Sequence, residues 1–352
     1  MRLELSKIDK NMAYDTNIAL DDIDFVNIDE APVDILGVWR HEDVYIRVPR
    51  DVADATNEGV SKELSYHLAG GRVRFMTDSP YVAIVYTFPV LNTYYHITRS
   101  CQSGIDMYVD GVFSGVYAPT NDKDNRVEAI KHFDGEKKMR EIVINLPHYN
   151  SMNSMYIGTS KDSVIKKTKP YDKRIVFYGS SITQGGCASR PGNTFTSSVA
   201  RALDWDIINL GFSGNGKGET VMAEYIASLD MGIFVYDYDH NAPTPEHLAN
   251  THKPMFDIIR KANPLLPIIM VSRPNNHYYA KDNNKKRFEI IKQTYDAAIA
   301  AGDKNVYLIN GSKIMDDIAE CDGTVDGLHP NDLGFYCMAK RIGDVIGEIL
   351  GK

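Results

Sequence analysis

The pattern of apolar and polar residues changes near residue 165. Before that point, short segments alternate between apolar and polar side chains, and Asp110-Gly111 follows one of them. Alternation with a period of two is typical of half-buried strands, and Asp-Gly favours a hairpin turn. Residues 1–165 are therefore predicted to form an antiparallel β-sandwich. The alternating or apolar segments are residues 44–48, 73–75, 82–86, 105–109 and 141–146.

From about residue 170, apolar runs of four to six residues alternate with longer helical patterns. This order is typical of βαβ units and predicts a parallel sheet with helices on both faces in a second domain, residues 170–352. The polar, lysine-rich segment 161–173 contains Pro170, as expected of a linker. The predicted strands are 174–178, 206–210, 233–238, 268–271 and 306–309, and the predicted helices are 194–203, 219–229, 245–262 and 284–301.

Composition excludes some classes of partner. The chain has 352 residues and a formal net charge of −8, with no basic stripe, which argues against nucleic acid binding. No run of about 18 apolar residues predicts a membrane helix. The first residues lack the apolar stretch of a secretory signal, and the four cysteines (101, 187, 321 and 337) are widely scattered. We therefore expect a cytoplasmic protein with free thiols.

Two segments far apart in the chain suggest one hydrolytic site. Gly179-Ser180-Ser181 directly follows a predicted buried strand, and Asp326-Gly-Leu-His329 lies near the C-terminus. A serine at such a turn is a candidate nucleophile, and an Asp and a His on one loop can supply a base and the group that orients it. Taken alone, Ser181 could be a helix cap, Asp326 a turn residue and His329 a surface residue.

Two other strand ends carry reactive groups and leave alternatives open. Residues 211–218, Gly-Phe-Ser-Gly-Asn-Gly-Lys-Gly, nearly form a phosphate-binding loop, but Gly218 stands where a Ser or Thr would bind the metal. A metal site is the second alternative, although no His-Glu-x-x-His pattern supports it. Its candidate ligands are Asp237, Asp239, His240, His247 and His252.

Together, and in this order, the four segments resemble the blocks of the SGNH (GDSL-type) hydrolase superfamily. The resemblance puts the nucleophile on Ser181 and matches Asp326 and His329 to the Asp-x-x-His block. Asn209-x-Gly211-x-x-Gly214 resembles the glycine block, and Asp239-His240-Asn241 resembles the asparagine block. Three positions depart from the family pattern: Ser180 replaces an aspartate, Asp239 replaces the glycine that begins the asparagine block, and Ala242 replaces the aspartate that ends it.

The resemblance extends to the first domain. Residues 103–108, Ser-Gly-Ile-Asp-Met-Tyr, are similar to the Gly-x-Asp-Leu-Tyr element of a two-domain bacterial subgroup. It implies a flavodoxin-like three-layer α/β/α hydrolase domain behind a jelly-roll-like sandwich. It also implies a Ser181-His329-Asp326 triad, and an oxyanion hole formed by the Ser181 and Gly214 N–H groups and the Asn241 amide. No metal or organic cofactor is required.

The implied activity is hydrolysis of short acyl esters, chiefly acetyl, on a small molecule or an oligosaccharide. Arg273 is a candidate for substrate binding and Arg190 a weaker one, while His96 and Arg99 are expected on a loop that reaches over the site. Two alternatives remain. One is a lipase or lysophospholipase of the same superfamily, and the other is a catalytically idle carbohydrate-binding protein.

Overall fold

The structure, a computed structural model, describes residues 18–121, 125–135, 137–274, 281–318 and 322–351. Besides a two-stranded antiparallel sheet of residues 39–41 and 44–46, the first half forms two larger antiparallel sheets. One has the strand order β1-β11-β6-β9 and the other has the order β12-β5-β10-β7-β8, with β2 also paired to β5. The strands are β1 Ile23–Asn27, β2 Asp34–Leu36, β3 Trp39–His41, β4 Val44–Ile46, β5 Arg72–Thr77, β6 Tyr81–Thr87, β7 Ile105–Val109, β8 Val112–Tyr117, β9 Arg126–His132, β10 Arg140–Asn145, β11 Ser154–Ser160 and β12 Ile165–Lys166.

Apolar side chains of the two sheets share one core, in which Phe75, Ile84 and Ile144 are almost completely buried. The antiparallel sandwich predicted from the alternating pattern is thus confirmed. The Asp-Gly signal also marks a real hairpin between β7 and β8. Asp110 and Gly111 have φ angles of 49° and 77°, and the tight turns that match the twist of paired strands need positive φ at both central positions.

Among the described residues of the first half, three short α-helices were not predicted. They are α1 Arg50–Thr56, α2 Glu58–Lys62 and α3 Arg99–Gln102. The Asn57 side chain caps α2 and the Thr98 side chain caps α3. These helices are too short to show an apolar period of 3.6 residues, so periodicity cannot reveal them.

The second half contains a five-stranded parallel sheet with the order β14-β13-β15-β16-β17. Its strands are β13 Arg174–Gly179, β14 Asp206–Gly211, β15 Ile233–Asp237, β16 Ile268–Val271 and β17 Val306–Ile309. Its helices are α4 Ser181–Gln184, α5 Phe195–Leu203, α6 Thr220–Ser228, α7 Pro245–Ala262, α8 Lys281–Ala300 and α9 Asp332–Leu350. Helices α5 and α9 pack on one face, and α6, α7 and α8 pack on the other.

This strand order is the flavodoxin-like order, and the three-layer prediction is confirmed. The order of strands reverses between β13 and β15, so the crevice at their carboxyl ends is the place where such folds bind ligands. The loops after β13, β14 and β15 all end at this crevice. Among the described residues, no helix is long and apolar enough to cross a membrane.

The two halves are joined by buried polar contacts. The Arg47 guanidinium is fully buried; it donates to the Leu64 carbonyl and, at 2.9 Å, to the Asn209 carbonyl. It also lies 4.4 Å from the centre of the Phe212 ring. Burial lowers the Arg47 pKa to about 9. The guanidinium therefore links the loop before α1 to the edge strand β14 of the parallel sheet.

Candidate active site

The candidate nucleophile Ser181 is the first residue of α4, directly after β13. The Ser180 hydroxyl accepts a hydrogen bond of 3.1 Å from the Ile182 N–H and caps the helix. Gly185 ends the helix with a φ of 105°, a conformation that favours glycine. The strand-to-helix turn therefore holds Ser181, which is 9% exposed, at the carboxyl edge of the sheet.

His329 and Asp326 lie on the loop before α9 and face Ser181. His329 Nε2 is 2.9 Å from the Ser181 Oγ, and its Nδ1 is 2.8 Å from Asp326 Oδ2. The other oxygen of Asp326 accepts the backbone N–H groups of Leu328 and His329. Burial acts to raise the pKa of Asp326, but the hydrogen bonds from His329 outweigh it and hold that pKa below its usual value. An ionised Asp326 keeps the proton on Nδ1, which leaves the Nε2 lone pair for the Ser181 hydroxyl.

Of the three predicted oxyanion donors, Ser181 begins α4, Gly214 lies on the loop after β14, and Asn241 lies on the loop after β15. Among the described residues, neither the Ser181 N–H nor the Gly214 N–H has an acceptor. Gly214 has a φ of 69°, which explains the need for glycine there. The Asn241 Nδ2 donates 2.8 Å to the Phe212 carbonyl, which fixes its amide against the glycine loop. An amide nitrogen carries two hydrogens, so one N–H of Asn241 remains for a substrate.

The buried carboxyl of Asp237 supports the nucleophile turn, the strand-to-helix turn of residues 179–183 that carries Ser181. Asp237, at the end of β15, accepts hydrogen bonds from the Thr183 hydroxyl and from the Ser180 N–H. Burial raises the pKa of Asp237 well above its usual range. A side chain at Gly179 would collide with Asp237 and Thr183. The turn therefore packs so closely on Asp237 that only glycine fits at its start. From the sequence alone, Asp237 is a candidate only for metal binding.

The first half of the chain also holds the nucleophile turn. The Tyr149 hydroxyl donates 3.1 Å to the Ser181 carbonyl, and His148 Nδ1 donates 2.8 Å to the Gln184 carbonyl. The buried Gln184 side chain donates to the His148 carbonyl at 3.0 Å and accepts the Ser213 N–H at 2.9 Å. One amide thus ties the end of α4 to the residue before Gly214. Hydrophobic periodicity carries no signal for these residues because their partners are distant in sequence.

Arg190, a weaker candidate for substrate binding, instead joins the two halves. Its guanidinium contacts Asp106 Oδ2 at 2.6 Å and the Tyr108 hydroxyl at 2.8 Å, and it lies 3.9 Å from the centre of the Phe113 ring. Asp106 also accepts the Gly192 N–H at 2.8 Å. Asp106 and Tyr108 belong to the segment that resembles Gly-x-Asp-Leu-Tyr. This element therefore positions the loop after α4.

The remaining predicted residues differ in their placement. The His96 ring lies 5.1 Å from the His329 ring, centre to centre, so the loop of the first half does reach the site. Arg99 turns toward the Pro119 carbonyl instead. Arg273 is partly buried. Its backbone N–H donates to the Asp239 carboxylate, and its guanidinium donates to the Asn284 side chain. Substrate binding by Arg273 stays a prediction.

The phosphate-loop alternative is wrong, because the protein itself uses every N–H group of this loop except that of Gly214. The N–H groups of Asn215 and Gly216 bond to the Phe212 carbonyl, and the Gly218 N–H bonds to the Tyr178 hydroxyl at 2.8 Å. A phosphate-binding loop needs such N–H groups free to surround the anion.

The metal alternative also fails for the residues named. His252 packs on Tyr236 and bonds to Thr294, while His247 bonds to the Lys217 carbonyl. Among the described residues, the one group of three whose donor atoms approach one another is His96, Cys187 and His329.

A doubly wound parallel sheet with a serine, a histidine and an aspartate close together at its carboxyl edge is an arrangement typical of three-layer α/β hydrolases. Residues 172–347 match the model of the GDSL-like lipase/acylhydrolase family, and residues 23–165 match the GxDLY model, described as the N-terminus of SGNH-hydrolase-type esterases. The chain belongs to the GDSL-like lipase/acylhydrolase family and is a carboxylic ester hydrolase.

Three solved structures illustrate the similarity. A GDSL-like lipase from Bacteroides ovatus is 31% identical, with 94% of this chain and 98% of that chain covered and a TM-score of 0.83. A salicylyl-acyltransferase from a tetracycline biosynthetic pathway is 20% identical, with 93% of this chain and 98% of that chain covered and a TM-score of 0.76. An acetyl xylan esterase from the rumen bacterium Butyrivibrio proteoclasticus is 14% identical, with 94% of this chain and 99% of that chain covered and a TM-score of 0.60. The latter two share the fold. Comparison with curated proteins gave no match.

Proposed function

We propose that the protein is a serine esterase that removes short acyl groups, chiefly acetyl, from carbohydrates through an acyl-enzyme on Ser181. The observation that carries the proposal is the continuous hydrogen-bonded chain from the Ser181 Oγ through both nitrogens of His329 to Asp326, with distances of 2.9 and 2.8 Å. This is the arrangement that activates a serine hydroxyl at neutral pH.

In the proposed mechanism, the Ser181 Oγ attacks the ester carbonyl carbon while His329 Nε2 takes its proton. The negative charge that develops on the carbonyl oxygen is stabilised by the N–H groups of Ser181 and Gly214 and by the Asn241 amide. His329 then returns the proton to the departing alcohol. A water molecule attacks the acyl-enzyme with His329 again as base, releasing the acid and restoring Ser181. The mechanism uses no metal or organic cofactor.

Two observations support a carbohydrate ester over a lipid. The side chains near His329 include the imidazoles of His96 and His240, which suit hydroxyl groups better than an acyl chain. An acetyl xylan esterase is also among the structures with this fold. Because another similar structure is described as a GDSL-like lipase, the lipase alternative needs a direct test.

The test is hydrolysis of p-nitrophenyl acetate, butyrate and octanoate by the wild type, Ser181→Ala and Ser180→Ala. We expect acetate to be the best substrate and Ser181→Ala to be inactive. Ser180→Ala is the matched control, because it removes a helix cap worth about 1 kcal/mol of stability but keeps the nucleophile. Release of acetate from acetylated xylan oligosaccharides then tests whether the alcohol part of the ester is a carbohydrate.

Each other outcome has a definite meaning. Activity that survives in Ser181→Ala would refute the assigned nucleophile. Octanoate as the best substrate would favour the lipase alternative. A folded wild-type protein that hydrolyses none of the esters would favour the idle carbohydrate-binding alternative, which binding to xylan oligosaccharides would then examine.

A further inference from the structure

Three side chains with nitrogen and sulfur donors converge beside Ser181. His96, Cys187 and His329 each offer one donor atom, and these atoms all lie within 4.8 Å of one another. They come from three separate segments: the loop before α3, the turn after α4 and the loop before α9. Two imidazoles and a thiol form a ligand set that suits zinc, which binds histidine nitrogen and cysteine sulfur.

His96 and Cys187 both pack against neighbouring side chains, but neither the Nδ1 of His96 nor the Cys187 thiol makes a hydrogen bond among the described residues. The Nδ1 of His96 is also buried. Cys187 is 4% exposed, and its backbone has a φ of 74°, in the left-handed region. That conformation is costly for a residue other than glycine, and such strained positions concentrate at functional sites. The fold thus holds a thiol in an unfavourable backbone conformation next to the candidate catalytic histidine.

We propose that His96, Cys187 and His329 form a binding site for Zn²⁺, and that bound Zn²⁺ reversibly inhibits the esterase. The inhibitory part rests on the proposed function, whereas the binding part does not. Zinc–ligand bonds of 2.0–2.3 Å place neighbouring donors in a tetrahedron roughly 3.5 Å apart. The donors must therefore close in by about an ångström, which side-chain rotation can supply. Water would take the fourth position.

The inhibition follows from the lone pair that zinc would use. Nδ1 of His329 is held by Asp326 at 2.8 Å, so only Nε2 can bind a metal. That same Nε2 lone pair accepts the Ser181 proton in catalysis. The Asp326–His329 pair also matches the carboxylate that commonly supports a zinc-bound histidine. Zinc binding and activation of Ser181 are therefore mutually exclusive.

Zinc binding releases one proton and changes no oxidation state. Burial raises the pKa of the Cys187 thiol to about 12 and lowers the pKa of His96. His96 therefore stays neutral and ready to bind, while the thiol keeps its proton until a metal displaces it. Formation of the Zn–S bond releases this proton to solvent, and both imidazoles bind in their neutral forms. A chelator that removes the zinc restores the thiol and the Ser181–His329 hydrogen bond.

The test combines inhibition with a spectroscopic measurement. Hydrolysis of p-nitrophenyl acetate is followed against chelator-buffered free Zn²⁺ for the wild type, Cys187→Ser, His96→Gln and the control Cys337→Ser. Each rate is normalised to the metal-free rate of the same variant. We expect the wild type and Cys337→Ser to lose activity at micromolar Zn²⁺ and to recover with chelator. Loss of a ligand in the other two should raise the half-inhibiting concentration about tenfold or more.

Co²⁺ reports the site without any catalytic turnover. A thiolate bound to Co²⁺ gives a charge-transfer absorption band in the near ultraviolet, which should appear in the wild type, Cys337→Ser and the inactive Ser181→Ala, but not in Cys187→Ser. Equal zinc sensitivity of Cys187→Ser and the wild type, or Co²⁺ binding without a thiolate band, would overturn the zinc site and leave the esterase standing. Activity surviving in Ser181→Ala would refute the esterase mechanism, while the Co²⁺ band would still decide the metal site.

Discussion

The hydroxyl of Tyr149 donates a hydrogen bond of 3.1 Å to the carbonyl oxygen of Ser181. Tyr149 belongs to the sandwich half of the chain, and its side chain is almost completely buried. Burial raises the pKa of Tyr149 far above its usual value, so the hydroxyl keeps its proton and remains a donor. The backbone of the candidate nucleophile is thus held by a residue outside the parallel-sheet half.

Tyr149→Phe should lower kcat about tenfold with little change in KM, because small displacements of a nucleophile are costly to the rate. Stability should fall by about 1 kcal/mol, the usual net value of one hydrogen bond. Both constants are measured with p-nitrophenyl acetate. Tyr94→Phe is the matched control, since that ring packs edge-on against Tyr149 at 5.4 Å. Equal effects of the two substitutions would argue against a positioning role for the Tyr149 hydroxyl.

Asp326→Asn should lower kcat by about 10³–10⁴ while the protein stays folded, because an amide no longer holds His329 in the productive tautomer. Single-turnover and steady-state rates with p-nitrophenyl acetate measure the loss. Asp344→Asn, on the exposed face of α9, provides a control of equal charge change. A loss smaller than about tenfold would show that Asp326 is not the orienting carboxylate.

Asn241→Ala should reduce kcat by a factor of about 10²–10³, which corresponds to roughly 3 kcal/mol for one oxyanion donor. It also removes the hydrogen bond to the Phe212 carbonyl, so a loss of about 1 kcal/mol in unfolding free energy is expected. Comparing kcat with urea unfolding separates the two effects. A loss of stability with kcat unchanged would remove Asn241 from the oxyanion hole.

Arg190→Leu should destabilise the protein by about 3–5 kcal/mol, because it leaves the buried Asp106 carboxyl without its cation. Urea unfolding measures this change. Lys62→Ala is the matched control, since it breaks an exposed ion pair with Glu58 and should cost less than about 1 kcal/mol. If Arg190→Leu were as mild as the control, the contact would not be what joins the two halves.

Stability should fall as the pH is lowered from about 6.5 to 4. Burial lowers the pKa of His148 from 6.5 to about 4 in the folded protein. In this window the unfolded chain binds a proton at His148 that the folded chain does not, so acid favours unfolding, by about 3 kcal/mol at the lower end. Unfolding free energies at several pH values should give a shallower slope for His148→Asn than for the wild type. Identical slopes would contradict the assignment.

Much of the parallel-sheet half could be predicted from periodicity. The strands 268–271 and 306–309 and the helix 245–262 were predicted with the bounds that the structure gives, and the other predicted elements differ by a few residues at their ends. The helices α4 and α9 were not predicted. Long buried strands that alternate with amphipathic helices give a strong local signal. Ser181, His329 and Asp326 were singled out because they follow predicted strands and match the blocks of the superfamily in order.

The supporting residues could not be found in this way. Gln184, Tyr149 and Arg47 act through partners that are distant in sequence, and each would be classified alone as an ordinary core or surface residue. Arg190 was considered for substrate binding because a loop arginine near a strand end is ambiguous until its partner is known. Its partner Asp106 lies 84 positions earlier. Local patterns identify elements, whereas contacts between halves depend on how those elements pack.

The segment 48–64, which contains α1 and α2, limits where the chain can be cut into separate folding units. Val48, Ala53, Val60 and Leu64 precede most of the sandwich in sequence, yet they pack into the same apolar core as Phe212 and Met222 of the parallel-sheet half. A fragment that begins at the linker would lack these four side chains and expose the surface they cover. The other half therefore supplies part of the apolar core of the hydrolase half. Joining the hydrolase half to a different N-terminal domain at the linker would leave that core incomplete.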